Sequence, residues 1–211
     1  MARRMADPLF RTRQREGSYA EHVRPVNELV DALRATGAGW VPHVAPHHGG
    51  VDARALLVLR SPGRATAARG GSGFLSTEND DETAKTMSEL LVGVGIDTRS
   101  IVLWNAYPWL IDGAPSTTQV KAGSEPLVRL LDLLPDLRVI LLHGGEAQRC
   151  WQHAVVRYPA LRSRLPVVRT YSPSPQALFH PDPEVRAARA AHRQAAYAEV
   201  ARSLSIPLEP A

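Results

Sequence analysis

Ala55-Leu-Leu-Val-Leu59, followed at once by Arg60-Ser-Pro-Gly63, is the stretch from which the fold is read. An apolar run of this length is too short for a stable helix, and its end is marked by a proline-glycine breaker. It therefore predicts a strand buried on both faces, the kind found in parallel sheets that are covered by helices on each side. The pattern repeats downstream: Ile101-Val-Leu-Trp104, Arg138-Val-Ile-Leu-Leu142 and Val167-Val-Arg169 are further strand candidates. Helical periodicity lies between and around them, in Glu21 to Arg34, Thr83 to Val94, about Glu125 to Leu134, Glu146 to Tyr158 and Glu184 to Leu204. Strands alternating with helices imply parallel pairing. The expected fold is α/β, a three-layer α/β/α sandwich around a central, mainly parallel four-stranded sheet. Ligands of such sheets bind beyond the carboxyl ends of the strands, where Arg60 to Asp81, Asn105 to Trp109, His143 to Gly145 and Tyr171 to Leu178 fall. Of these, the stretch from Gly70 to Asp81 reads as a long loop.

The chain has 211 residues, 44% hydrophobic and 22% charged, and reads as one globular domain over 1–211. No apolar run approaches the roughly 18 residues of a membrane span. Residues 1–20 form a basic extension, expected to be partly mobile. It lacks the apolar core of a secretory signal, so a cytoplasmic location is expected. The net charge is only +4, and Lys85 and Lys121 are the sole lysines. Arginine suits phosphate recognition, although charge alone permits a nucleic-acid partner without establishing one. One cysteine, Cys150, excludes an internal disulfide and any cluster or zinc site built on several thiolates. His47-His48 could offer metal ligands, but no third ligand is evident, and a solvated loop is the preferred reading.

Four pieces stand in order at successive strand ends: Leu57-Val-Leu-Arg-Ser-Pro-Gly63; Gly73-Phe-Leu-Ser76 leading to Asn79-Asp-Asp-Glu-Thr-Ala84; Trp104-Asn-Ala-Tyr-Pro-Trp109; and Tyr171-Ser-Pro-Ser-Pro-Gln176. Together they resemble the uracil-DNA glycosylase superfamily, in particular its actinobacterial-type members, over roughly 42–204. The resemblance implies a monomeric, monofunctional DNA glycosylase that flips a pyrimidine out of DNA and hydrolyses its glycosidic bond to leave an abasic site, as in base-excision repair. It implies that Phe74 stacks on the base, where the alternative is a phenylalanine plugging the core. Asn105 matches the amide that reads the pyrimidine edge, being able to donate and accept at once, and otherwise it is a turn residue. Tyr107 and Trp109 would extend the pocket wall or simply pack. Pro62 and Gly63 would approach phosphate and sugar, and Ser172, Pro173, Ser174 and Pro175 would form the loop that pinches the DNA backbone. Gln176 or Leu178 would fill the space left by the flipped base. His143 would touch phosphate or sugar, or else end its strand by packing. On the terminal helix, Arg186, Arg189, Arg193 and Arg202 read as a solvated basic face opposite Val185, Ala188, Ala191, Ala195 and Val200, with Arg186 and Arg189 near enough to the last loop to reach phosphate.

The chain departs from the family's pattern twice. Arg60 stands where such proteins usually carry an acidic residue, and Ser172 where they carry histidine. Arginine stays protonated and cannot be a general base. One reading moves catalysis to the acidic loop, with Asp80 or Asp81 orienting water beside Asn79 and Arg60 stabilising the departing base. In its bland alternative, Asn79 or Asp81 caps the helix that follows. A second reading has Arg60 and Ser172 recognise a bulky modified cytosine of the kind found in phage DNA, in antiviral defence. A third is a catalytically silent DNA-binding relative. No cofactor, metal or iron-sulfur cluster is expected, and no lysine lies in the loops to form a Schiff base.

Overall fold

Alternation along the strands sorts their side chains onto two faces, and each face has its own core. Leu56, Val58, Val102, Trp104, Ile140 and Leu142 enter one buried cluster, while Ala55, Leu57, Ile101, Leu103, Val139 and Leu141 enter the other. A sheet apolar on both sides must be covered on both sides, which makes the three layers. The computed structural model describes residues 3–205. Its strands are β1 (His43–Val44), β2 (Ala55–Leu59), β3 (Phe74–Leu75), β4 (Ile101–Asn105), β5 (Val139–His143) and β6 (Val167–Thr170). Four of them form the central sheet in the order β4-β2-β5-β6, every neighbouring pair parallel.

The helices are α1 (Pro8–Glu16), α2 (Arg24–Ala35), α3 (Glu82–Gly93), α4 (Thr117–Ala122), α5 (Ser124–Leu131), α6 (Gly144–Arg157), α7 (Leu161–Arg164) and α8 (Pro183–Ser205). Helices α2, α5 and α6 supply the first cluster, and α3 and α8 supply Met87, Leu91, Ala196, Tyr197 and Val200 to the second. Among the described residues no helix is long and apolar enough to cross a membrane.

The structure corrects three expectations of local structure and places the basic extension. The helix expected from about Glu125 to Leu134 is α5, and a further short helix, α4, stands just before it in a stretch read as loop, the two meeting at Gly123. The loop from Gly70 contains β3, which pairs in parallel with β1 through His43↔Phe74 and Val44↔Leu75. Two-residue strands carry too little periodicity to be read in advance. Residues 3–20 are docked, with Met5, Phe10 and Gln14 buried, because Met5 and Phe10 close a small cluster with Ala45 and Phe74. His47 and His48 are not a solvated loop: their ring centroids lie 3.9 Å apart, the rings tilted by 41°, beneath the acidic loop, and His48 is fully buried.

Two features fix the strand ends where a ligand would sit. The β2 and β4 ends are in register, Leu59 against Asn105, and the chains leaving them stay tied through Ala106 N to Leu59 O (2.7 Å) and Tyr107 N to Arg60 O (3.0 Å). Gly123 lies against the same segment so closely that a side chain there would stand 1.7 Å from the Ala106 carbonyl oxygen.

Candidate active site

The carboxyl ends of β2, β4 and β5 open into a cleft of about 710 Å³. Its floor is laid by strand ends and a helix: Leu59, Leu103, Asn105, His143 and Met87 line it. Its rim is formed by the loop after β2 (Arg60 to Thr66), the acidic loop and first turn of α3, Glu146 at the start of α6, and the loop after β6.

Asn105 ends β4 with 1% of its surface exposed, and neither its Oδ1 nor its Nδ2 has a hydrogen-bond partner. Buried polar atoms are overwhelmingly paired, and leaving one orphaned costs about 1–3 kcal/mol. An amide on the floor of a cleft with donor and acceptor both free can meet a ligand edge that offers the complementary pair. Asn79 repeats the theme more weakly: its Nδ2 donates to the Phe74 carbonyl at 2.9 Å, and its buried Oδ1 has no partner.

His143, on the adjoining strand end, is fully committed. Its Nδ1 lies 3.2 Å from the Val58 carbonyl, which can only accept, so Nδ1 carries the proton, and Nε2 accepts from the Tyr197 hydroxyl at 2.9 Å. Burial, with Arg193 nearby, pushes its pKa down to about 4, so the ring is neutral at pH 7. It borders the cleft without a nitrogen to offer to phosphate, which favours the packed strand terminus over the DNA contact.

Three carboxylates reach the cleft, and their partners distinguish them. Glu82 is paired with Arg3, and Glu146 with Arg149 at 3.2 Å. Among the described residues Asp81 has no ion pair. One of its oxygens accepts from Ala84 N at 2.9 Å, capping α3. Capping occupies that oxygen, and the other makes no protein hydrogen bond. Asp80 stands apart, exposed and paired with Arg3 at 3.0 Å, outside the lining.

The acidic loop rests on the buried histidines. His47 Nε2 lies 2.8 Å from Ser76 Oγ, which itself accepts from Glu78 N, and Thr77 N donates to His48 Nε2. Burial pushes His47 down to about 2 and His48 to about 4, so both act as neutral struts. Among the described residues no group of histidine, cysteine and carboxylate could hold a metal.

The cleft thus gathers Arg60, Pro62, Gly63, Asn79, Asp81, Asn105, His143, Ser172, Ser174, Pro175 and Gln176, and leaves out Asp80, Phe74, Tyr107 and Pro173. Phe74 is 3% exposed and turned into the Met5–Phe10 cluster. Tyr107 packs on Trp109 with ring centroids 5.2 Å apart. Ser172 turns its hydroxyl back into its own loop, bonding Ser174 N and Ser174 Oγ at 3.2 Å each. Arg186 and Arg189 hold the same region from α8, donating to the carbonyls of His180, Pro181 and Phe179.

Two residues near the site escape the sequence reading. Glu146 has a signal, since the first turn of a helix that leaves a strand end faces the ligand side. Arg193 is buried rather than part of a solvated face. Its signal is that 193, 196, 197 and 200 follow helical spacing, which puts the arginine on the apolar stripe.

The family model described as the uracil DNA glycosylase superfamily matches residues 46–201. The chain belongs to that superfamily. No curated protein matches it. The matched region begins after α1 and α2, so the segment that clasps the acidic loop through Arg3, Arg4 and Met5 lies outside it.

Proposed function

We propose that this protein is a monofunctional DNA glycosylase that binds DNA, takes a pyrimidine nucleotide out of the stack into the cleft, and hydrolyses its N-glycosidic bond. The observation that carries the reading is Asn105: a buried amide with donor and acceptor both unsatisfied, at the floor of a cleft in a chain of this superfamily. A pyrimidine edge presents the complementary acceptor and donor.

In this reading Asp81 orients and deprotonates water through the oxygen not used for capping. Water oxygen bonds to the sugar C1′ as the bond from C1′ to the base nitrogen breaks, the electron pair leaves with the base, and the water's proton passes to the Asp81 carboxylate. Asp81 is preferred over Asp80 because it lines the cleft and has no ion pair. No lysine lines the cleft, which supports hydrolysis by water over a Schiff base.

The base is proposed to be a pyrimidine with a bulky polar substituent, such as the modified cytosines of phage DNA, with uracil as the smaller alternative. The volume of about 710 Å³ is in the range that holds drug-sized ligands, about 300–1,000 Å³, and Arg60, Arg64 and Ser174 on the rim can bond an added polar group. Excising such bases from incoming DNA would serve antiviral defence, and excising uracil would serve repair. Incubation with duplexes carrying each base, followed by alkaline cleavage at abasic sites, tests the activity. Cleavage with no borohydride-trapped adduct is expected. DNA binding without abasic product on every duplex would favour a silent DNA-binding relative instead.

A further inference from the structure

Helix α8 carries a charged residue on its buried stripe. Arg193 is buried, with 9% of its surface exposed. Its Nη1 donates to the Ser172 carbonyl at 3.2 Å, and its Nε is buried without a hydrogen-bond partner. No carboxylate among the described residues neutralises it, and burial pulls its pKa below the usual guanidinium value. One helical turn on, Tyr197 donates to His143 Nε2. Ser172 and His143 both line the cleft, so an uncompensated cation lies directly behind that wall.

The Nε side of that guanidinium is cut off from water with no carboxylate beside it, and desolvating an unpaired charge is unfavourable. A hydrogen bond to one carbonyl does not require a charge, and a neutral donor would make it more cheaply. What the charge adds is positive potential in a low-dielectric wall, where Coulomb interactions are strong. We propose that Arg193 is a positioning residue for departure of the base: it fixes the Ser172 peptide and places its charge behind the surface against which the leaving base becomes anionic. This rests on the glycosylase reading. It also identifies a cation that Ser172, with its hydroxyl turned into its own loop, does not provide.

The stabilisation matters more for a base that leaves with difficulty than for one that leaves easily. Two variants of the full chain separate charge from hydrogen bonding: Arg193→Lys keeps the charge, and Arg193→Gln keeps a donor. Single-turnover base release is measured on DNA carrying uracil or its more acidic counterpart 5-fluorouracil, and 5-hydroxymethylcytosine or 5-fluorocytosine, with thermal melting and DNA affinity in parallel. Arg193→Gln is expected to slow release of the less acidic base of the active pair roughly tenfold more than that of its fluorinated partner, with DNA affinity unchanged and Arg193→Lys close to the unsubstituted protein. Equal slowing within the pair would overturn the inference and leave the glycosylase reading standing. No release by the unsubstituted protein from any of these DNAs, nor from DNA carrying glucosylated hydroxymethylcytosine, would overturn both.

Discussion

At the floor of the cleft, Asn105 and His143 sit on strand ends with 1% of their surfaces exposed, and neither is charged at pH 7. At the rim, Arg60, Asp81, Glu82 and Glu146 ride on loops and first helical turns, and two of the three carboxylates there are held by arginines. The floor is set by sheet register and cannot move without breaking the core, so it suits recognition of a base edge, where small displacements matter. The rim is where charge is inexpensive to keep, because water and nearby arginines compensate it. Under the proposed function this contrast is a division of labour: neutral amide chemistry on the sheet would select the base, and Asp81, the rim carboxylate without an ion pair among the described residues, would act on water.

The largest effect should come from the floor. Asn105→Ala is expected to lower base release by about 10²–10³-fold while leaving the melting temperature nearly unchanged, because the amide bonds nothing within the protein. A large loss of stability in a melting experiment would mean that the amide has a structural partner, and the comparison would fail.

Asp81→Asn sharpens the rim half. Asparagine caps a helix about as well as aspartate, so α3 should hold while base release falls on the order of 10²-fold. Retained single-turnover activity would reduce Asp81 to its cap.

A pH series reads the neutrality of the buried imidazoles. His48 and His143 are held near pKa 4 in the folded chain, against 6.5 when unfolded. The unfolded chain therefore binds more protons below pH 6.5, and stability falls with decreasing pH from about 6.5 to 4, by about 1.4 kcal/mol per unit for each group. Denaturant melts at pH 7 and 5 should show this slope, and His143→Asn should flatten it. The smallest effect is expected at Asp80. Asp80→Ala breaks an exposed pair with Arg3 and should leave stability nearly unchanged, with base release unaltered; a rate loss matching that of Asp81→Asn would return the chemistry to Asp80.

The central sheet was legible because strands buried on both faces write continuous apolar runs: Ala55–Leu59 is a strand over the predicted residues, and β4 and β5 differ from their readings only at the ends. Asn105 was legible as a strand-end amide. Other parts depend on partners far along the chain. Phe74 reads equally well as a stacking ring or a core residue until Met5 and Phe10 are brought against it. Asp80 and Asp81 are adjacent and alike in type, and only the cap on one and the Arg3 pair on the other separate them. His47-His48 reads as a solvated loop because no third metal ligand is evident, yet Gly49 and Gly50 are what let the chain pass close beneath its neighbours: a side chain at Gly50 would stand 1.9 Å from the His22 carbonyl oxygen. On α8 the many alanines make two stripes nearly equal in hydropathy, so the face carrying Arg193 was assigned to solvent.

Asn105 at the floor is proposed to select a base which the protein then releases. Mass spectrometry of bases freed from DNA containing uracil, hypoxanthine, hydroxymethylcytosine or glucosylated hydroxymethylcytosine tests it directly, with Asn105→Ala alongside. Release of a pyrimidine by the unsubstituted protein and its loss in Asn105→Ala is the predicted result; release that survives the substitution, or no release from any of these DNAs while DNA binding persists, would contradict it.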